Sequence, residues 1–142
     1  MMAGIRGSNT KPEVELRRAL HAGGLRYRLH VRGLPGKPDI VLSRHRAAIF
    51  VHGCFWHRHK GCRYSTTPST RTEFWQEKFS ANVARDAAAI HSLLAAGWRV
   101  AVIWECALRP SGAAREIADV LAIWLPGQND YLEIGQARTS CD

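Results

Sequence analysis

Histidine and cysteine are concentrated in residues 52–62 of the chain. The sequence HGCFWHRHKGC holds three of the seven histidines and two of the four cysteines. Imidazole and thiolate groups suit zinc, and a structural zinc site needs four ligands in a tetrahedron. Such an ion would hold a loop that has little apolar material of its own. The alternative is a set of buried free thiols beside unrelated histidines. The predicted zinc ligands are Cys54, His59, Cys62 and Cys106.

Asp39 and two further histidines are the candidates for catalysis. A carboxylate at the mouth of a strand is a plausible ligand for magnesium, which takes oxygen ligands and can activate water at a phosphodiester. The alternative is that Asp39 only satisfies the turn before it. His52 and His57 titrate near neutral pH and suit general acid–base chemistry. Their alternative is a surface or supporting role.

Aromatic rings and basic residues accompany this cluster. Phe55, Trp56 and Trp75 can stack on bases or wedge between them, whereas the alternative is that they pack the loop against the core. Residues 1–75 carry a net charge of +10 and residues 76–142 one of −2, within a total of +8. This asymmetry indicates a surface that faces a polyanion, most simply nucleic acid.

The elements that must position these groups follow from periodicity and turn residues. Thr10 is predicted to cap a helix, with Glu13 at the capping-box position. Residues 25–32 alternate apolar and basic, which predicts a half-buried strand with a basic outer face that includes His30. The remaining predicted elements are strands at 40–42, 47–51 and 99–104 and helices at 72–96 and 111–125.

The strands at 40–42 and 47–51 are joined by a linker short enough for a hairpin. If Leu42 pairs with Ala47, Asp39 lies opposite Phe50, at the same end of the hairpin as His52. The helix at 72–96 is expected to turn Phe74 and Val83 to its buried side. The whole order predicts a mixed α/β sheet flanked by helices.

Length and composition limit the class of protein. A chain of 142 residues predicts one domain, which we place at 1–125, followed by a loosely organised C-terminal tail at 126–142. No apolar run approaches the ~20 residues of a membrane helix. The N-terminus lacks the apolar stretch of a signal peptide, so we expect a cytoplasmic protein without membrane contact.

Five separated blocks of sequence resemble the very short patch repair DNA mismatch endonucleases. The resemblance runs from about residue 5 to residue 108. It implies a restriction-endonuclease-like fold and magnesium-dependent nicking on the 5′ side of the thymine in a T:G mismatch, the product of 5-methylcytosine deamination. The blocks are IRGSNTKPE (5–13), LPGKPDIVL (34–42), AAIFVHGCFWH (47–57), TRTEFWQEKFSANVARD (70–86) and GWRVAVIWECAL (97–108).

The resemblance also implies roles for individual residues. Asp39 matches the metal-binding aspartate, and the backbone carbonyl of Val51 is expected to be a second contact to the Mg²⁺ ion. His57 matches the catalytic histidine that activates water, and His52 matches its companion. Glu13 matches a functional acid, a role compatible with its place in the capping box.

The remaining implied roles concern zinc and DNA. The zinc ligands are the four residues predicted above from spacing. Phe55, Trp56, Trp75 and, more weakly, Met2 match aromatic and apolar residues that intercalate beside the mismatch. The expected partner is double-stranded DNA with a T:G mismatch, with a functional link to a cytosine-5 DNA methyltransferase and to mismatch-repair proteins, and we expect a monomer. The alternatives are a restriction-type site-specific endonuclease and a non-catalytic, zinc-stabilised DNA-binding module.

Overall fold

The computed structural model describes residues 10–135. A five-stranded mixed sheet forms the centre of this region, and helices cover both of its faces. The elements in chain order are α1 (Lys11–Ala22), β1 (Arg28–Leu29), β2 (Ile40–Leu42), a short 3-10 turn (Ser43–His45), β3 (Ala47–His52), α2 (Thr72–Ala95), β4 (Arg99–Trp104), α3 (Glu105–Leu108), α4 (Ala113–Trp124) and β5 (Tyr131–Ile134). The predicted mixed α/β sheet with flanking helices is therefore confirmed.

The sheet has the strand order β1-β2-β3-β4-β5. The pairs β1/β2 and β2/β3 are antiparallel, and the pairs β3/β4 and β4/β5 are parallel. Alternate residues of β3 and β4 point to opposite faces, as strand geometry requires. Ile49 and Ile103 pack beneath α1 and α4, whereas Phe50 and Val102 pack with Leu93 of α2. Because β3 and β4 run parallel, their carboxyl ends lie side by side.

The hairpin of β2 and β3 has the register expected from the sequence. Leu42 pairs with Ala47, and Ile40 pairs with Ile49. Arg46 closes the turn in the left-handed conformation at φ 50°. The register carries Asp39 to the end of β3, where its Oδ2 accepts a hydrogen bond of 2.7 Å from the backbone N–H of Val51.

The strand predicted at 25–32 is wrong beyond its two central residues. Only Arg28 and Leu29 pair with β2, and Leu29 is exposed. His30 adopts a left-handed φ of 49°, which breaks the alternation of the strand. Its imidazole therefore points to Glu13 rather than to solvent with the basic face, at 3.1 Å between Nε2 and Oε2.

Helix α2 presents a different side to the protein from the one predicted. Phe74 and Val83 are exposed, whereas Phe79 and Leu93 are buried. The part of α2 up to Asp86 lies over the cleft described below and turns Asp86 and other polar residues towards it, so apolar periodicity is misleading there. The C-terminal part, which includes Leu93, covers the sheet.

The segment predicted as a loosely organised tail contributes a strand. β5 lies at residues 131–134 and pairs with β4, with Val100 opposite Tyr131. Glu133 accepts a 2.6 Å hydrogen bond from Nε1 of Trp104. This short edge strand owes its order to its pairing with β4, which the local sequence pattern does not show. Among the described residues, no helix has both the length and the hydropathy to span a membrane.

Candidate active site and metal centre

Two adjoining pockets lie at the carboxyl end of β3. The larger has a volume of about 780 Å³ and reaches Glu13, Glu105 and Arg109. The smaller, of about 300 Å³, holds Asp39 and His52. They meet at a common wall, so we treat them as one cleft. The residues that line both pockets are Val51, His57, Arg85 and Asp86.

Asp39 is a mostly buried carboxyl group at this cleft. Its side chain is 14% exposed, and burial raises its pKa from 3.8 to about 7, with Glu13 adding to the rise and the hydrogen bond from Val51 opposing it. Burial of an unpaired carboxylate is costly in free energy. A cation beside Asp39 would remove that cost, so the donor set fits a hard divalent ion.

Glu13 serves the helix and the cleft at once. Its backbone N–H donates to Oγ1 of Thr10, which confirms Thr10 as the cap of α1. Its carboxylate is 2% exposed and contacts Nη1 of Arg17 at 3.4 Å and Nε2 of His30 at 3.1 Å. Ligand atoms of Glu13, His30 and Asp39 all lie within 4.8 Å of one another. The first turn of α1 thus places a carboxylate beside Asp39.

His57 is held by a carboxylate on α2. Its Nδ1 lies 2.6 Å from Oδ2 of Asp86, which leaves Nε2 as the ring nitrogen available for proton transfer. His52 stacks on His57 with ring centroids 3.9 Å apart and planes 7° apart. Burial lowers the pKa of His52 to about 3, so His52 is neutral and gives His57 a flat, uncharged neighbour.

The four predicted zinc ligands come together. Nδ1 of His59 lies 3.7 Å from Sγ of Cys54 and 3.4 Å from Sγ of Cys106, and one ligand atom from each of the four residues, Cys62 included, lies within 4.8 Å of the others. In a tetrahedral zinc site, bonds of about 2.3 Å to sulfur and about 2.1 Å to nitrogen separate these ligands by about 3.6 Å. The donor set and spacing therefore fit a metal ion.

Burial keeps two members of this cluster uncharged. Burial raises the pKa of the Cys54 thiol and lowers that of His59. Without a metal, the thiol of Cys54 therefore stays protonated and the imidazole of His59 stays neutral. A bound metal ion would release thiol protons, because the thiolate is the form that ligates a metal.

The aromatic residues form one cluster beside the cleft. Phe55 meets Trp56 at 4.9 Å and Phe79 at 5.2 Å, edge to face. Trp75 lies 5.9 Å from Trp56 and 5.6 Å from Phe79. Phe79 is buried, whereas the other three rings are half-buried, and Phe55 and Trp56 line the cleft. These rings are thus packed at their base and open at their edge. Met2 lies outside the described residues.

Several cleft residues were not among those predicted from the sequence. Asp86 shares a helical face with Trp75 and Phe79, because Phe79 follows Trp75 by four residues and Asp86 follows Phe79 by seven. This helical spacing could have predicted that Asp86 lies on the same side of the helix as the two rings. Glu105 follows β4, whose carboxyl end adjoins that of β3. His30 gave no signal, because alternation assigned it to the basic face. Other polar residues that line the cleft and were not predicted include Lys78, Asn82, Arg85 and Arg109.

Comparison with known proteins accounts for this arrangement. Residues 1–63 match the family model described as DNA mismatch endonuclease Vsr. The chain is 41% identical over 135 residues to the DNA mismatch endonuclease Vsr of Escherichia coli strain K12, covering 94% of this chain and 86% of that protein. It is 50% identical over 113 residues to the type II nicking enzyme V.XorIIP of Xanthomonas oryzae pv. oryzae, covering 80% and 82% respectively. This chain belongs to the Vsr family of DNA mismatch endonucleases.

Proposed function

We propose that this protein nicks double-stranded DNA on the 5′ side of the thymine of a T:G mismatch, by magnesium-dependent hydrolysis of one phosphodiester bond. The nick starts replacement of a short tract. The observation that carries the proposal is that Asp39 and the Asp86-bound His57 line one pocket. A binding protein needs neither a buried carboxylate nor an oriented imidazole there. The mixed sheet is consistent with a restriction-endonuclease-like fold.

The residues that would hold Mg²⁺ are Asp39, through its carboxylate, and Val51, through its backbone carbonyl. A backbone carbonyl is available whatever the side chain. When bound, the ion neutralises charge that develops on the phosphoryl oxygens and activates water. Glu13 adds a second carboxylate close to Asp39, which strengthens the attraction of the cleft for a cation.

His57 is the group that moves a proton. Asp86 orients the ring through Nδ1 and stabilises the imidazolium form, so Nε2 accepts a proton from the attacking water. His52, neutral and stacked on His57, keeps the ring in its plane. Lys78, Arg85 and Arg109 line the same cleft and supply cationic contacts to DNA phosphates, which set register and affinity.

The aromatic cluster selects the mismatch. Phe55, Trp56 and Trp75, with Met2 from the N-terminal arm, enter the stack beside the T:G pair. A mismatched pair costs less to unstack than a matched pair, so the same wedge favours the mismatch energetically. A structural zinc at the Cys54, His59, Cys62 and Cys106 cluster fixes the loop that carries Phe55, Trp56 and His57.

The substrate and cellular setting follow from this chemistry. Deamination of 5-methylcytosine creates T:G pairs, which links the protein functionally to a cytosine-5 DNA methyltransferase and to mismatch-repair proteins. One strand is cut, so one active site and hence a monomer suffice. We expect the protein to act in the cytoplasm on DNA, without membrane contact.

A second candidate function is nicking of a specific matched sequence. It is favoured by the relatives named as type II nicking enzymes in Xanthomonas oryzae and Neisseria meningitidis. It keeps the same cleft and changes only what the cleft recognises. A zinc-stabilised DNA-binding module without catalysis is disfavoured by the pairing of His57 with Asp86.

A nicking assay separates these functions. End-labelled duplexes that differ at one pair, T:G against T:A and C:G, are incubated with protein in several flanking sequences, with and without Mg²⁺. We expect a Mg²⁺-dependent nick 5′ to the mismatched thymine, on that strand alone. Cleavage of the matched duplex supports the site-specific enzyme. Tight binding without cleavage in any sequence supports the binding module.

A further inference from the structure

The loop between β3 and α2, residues 53–71, carries two of the three wedge aromatics and forms neither helix nor strand. We call it the wedge loop. Its first half contains the cysteine and histidine cluster, which fixes Cys54, His59 and Cys62 relative to Cys106. The second half, from residue 63 onward, contains none of these ligands. Arg58 attaches this second half to the aromatic wedge, which consists of Phe55, Trp56 and Trp75.

Arg58 ties the two halves of the wedge loop together through the edge of its guanidinium group. Nη1 donates to the carbonyl oxygens of Phe55 at 3.1 Å and Thr66 at 2.8 Å. Nη2 donates to the carbonyl of Ser65 at 3.2 Å and to Oγ1 of Thr67 at 2.9 Å. Hydrogen bonds from a charged donor are roughly twice as strong as neutral ones. The side chain of Arg58 thus connects Phe55, a residue of the wedge, to residues 65–67 in the second half of the loop.

The face of the same guanidinium supports the aromatic cluster. Its central carbon lies 3.9 Å from the ring centroid of Phe79 and 5.7 Å from that of Phe55. Phe79 is buried and contacts both Phe55 and Trp75. Arg58 therefore joins the loop backbone to Phe79 at the base of the wedge: the edge of its guanidinium group bonds the backbone carbonyls, and the face packs on the Phe79 ring.

The backbone of Arg58 is shaped for this position. Its φ of 55° lies in the left-handed region, which is costly for a residue with a Cβ atom. The half-buried side chain returns beneath its own loop, and all four of its hydrogen-bond acceptors are oxygens of that loop. The guanidinium group of Arg58 therefore makes its contacts within the loop and is not directed at a DNA phosphate. The side chain of Lys60, by contrast, is exposed.

We propose that Arg58 is a positioning residue for the aromatic wedge and that it sets the discrimination between T:G and matched pairs; this rests on the proposed function. Rings that are ordered before binding lose little conformational freedom when they enter the base stack. Matched DNA does not accept the wedge, so it gains nothing from that order. Loosening the wedge therefore slows cleavage at T:G more than cleavage at T:A.

Arg58→Lys is the informative substitution. Lysine keeps the charge and the aliphatic stem but has no planar fork and no flat face to lay on Phe79. Lys60→Ala is the control for disturbance of the loop, since it alters an exposed side chain of the same loop outside this network. Zinc content and thermal midpoint are measured for both, so that damage to the metal cluster is detected.

Two readouts test the proposal on the full chain. The first is single-turnover cleavage of T:G and T:A duplexes with Mg²⁺. The second is the fluorescence of 2-aminopurine placed beside the mismatch, in Ca²⁺ without cleavage, which rises when the bases unstack. We expect Arg58→Lys to lower the T:G to T:A cleavage ratio about tenfold and to reduce the fluorescence rise, with zinc content unchanged. Lys60→Ala should keep both within about twofold.

Three results would overturn the proposal. One is an Arg58→Lys variant with wild-type selectivity and fluorescence. Another is loss of zinc in that variant, which would make Arg58 a support of the metal cluster. The third is an equal change in Lys60→Ala, which would make the effect a general response of the wedge loop to substitution rather than a property of Arg58. If wild-type protein unstacks the mismatch without cutting it, the proposed nicking fails, while the fluorescence still decides the role of Arg58.

Discussion

The carboxylate of Asp39 accepts a 2.7 Å hydrogen bond from the backbone N–H of Val51. This hydrogen bond connects Asp39, the residue that precedes β2, to the end of β3. This contact orients one carboxylate oxygen and leaves Oδ1 to face His30 and the cleft. Because the carbonyl of the same Val51 is the second ligand proposed for Mg²⁺, one residue positions the carboxylate and completes the donor pair.

Replacement of Asp39 by asparagine should remove cleavage and spare DNA binding. The amide still accepts the hydrogen bond from Val51 but supplies no charge for a cation. We expect the single-turnover rate at T:G to fall by about a thousandfold, with mismatch affinity changed less than about threefold. Asp119→Asn, on the exposed side of α4, is the control for charge. Parallel loss of binding and cleavage would give Asp39 a structural role instead.

The buried carboxyl of Asp39 should also produce a pH-dependent stability. Its pKa is 3.8 in the unfolded chain and about 7 in the metal-free protein, so the native state binds more protons between these values. Its contribution to stability is therefore lost as pH rises from about 4 to about 7. His52, with its pKa lowered to about 3, acts oppositely, because its unfolded form binds the extra proton below pH ~6.5.

Comparison with Asp39→Asn isolates this contribution. Thermal unfolding is followed from pH 4.5 to 7.5 without divalent metal. The gain in midpoint of the variant over wild type should increase with pH, and Mg²⁺ should stabilise wild type more at pH 7.5 than at pH 5. A difference that does not vary with pH would mean that Asp39 is ionised throughout.

The contact between His57 and Asp86 should be catalytic in its effect. Asp86→Asn leaves a hydrogen-bond partner but no charge to stabilise the imidazolium. We expect the cleavage rate to fall about a hundredfold with mismatch binding retained. His57→Ala should fall further, and the double variant should match His57→Ala alone. Independent, multiplying losses in the double variant would separate the two residues functionally.

Removal of one cysteine should unload the metal cluster. Cys62→Ala leaves three ligands, so zinc content should fall and the thermal midpoint should drop by about 10 °C. Cys141→Ala is the matched control and should keep one zinc per chain. Metal is quantified by atomic absorption on dialysed protein. A full zinc complement in Cys62→Ala would exclude Cys62 from the ligand set.

The sequence predicted the structure correctly where a single feature decides it. The register of Leu42 with Ala47 followed from a hairpin linker, and it located Asp39 correctly. The gathering of the four candidate metal ligands followed from residue types and spacing, with Cys106 placed beside the loop by the end of β4. Both depend on features that the sequence shows directly: the length of one linker, and residue types that bind the same kind of ion.

The predictions that were wrong have a different cause. His30 leaves the strand pattern because a long-range contact with Glu13 outweighs the local preference. Phe74 and Val83 are exposed because α2 covers a polar cleft over its first half, and no helical periodicity reports what lies opposite a helix. β5 depends on pairing with β4, which supplies the order that its four residues lack. Each of these rests on a partner distant in the sequence.

The indole of Trp104 is shared by both centres. Its face stacks on His59 of the metal cluster at 4.3 Å and 8°, and His52, the neighbour of His57, meets the same ring at 5.3 Å. Replacement of Trp104 would therefore disturb the metal cluster and the His52–His57 pair together, because one ring offers its face to His59 and an edge contact to His52.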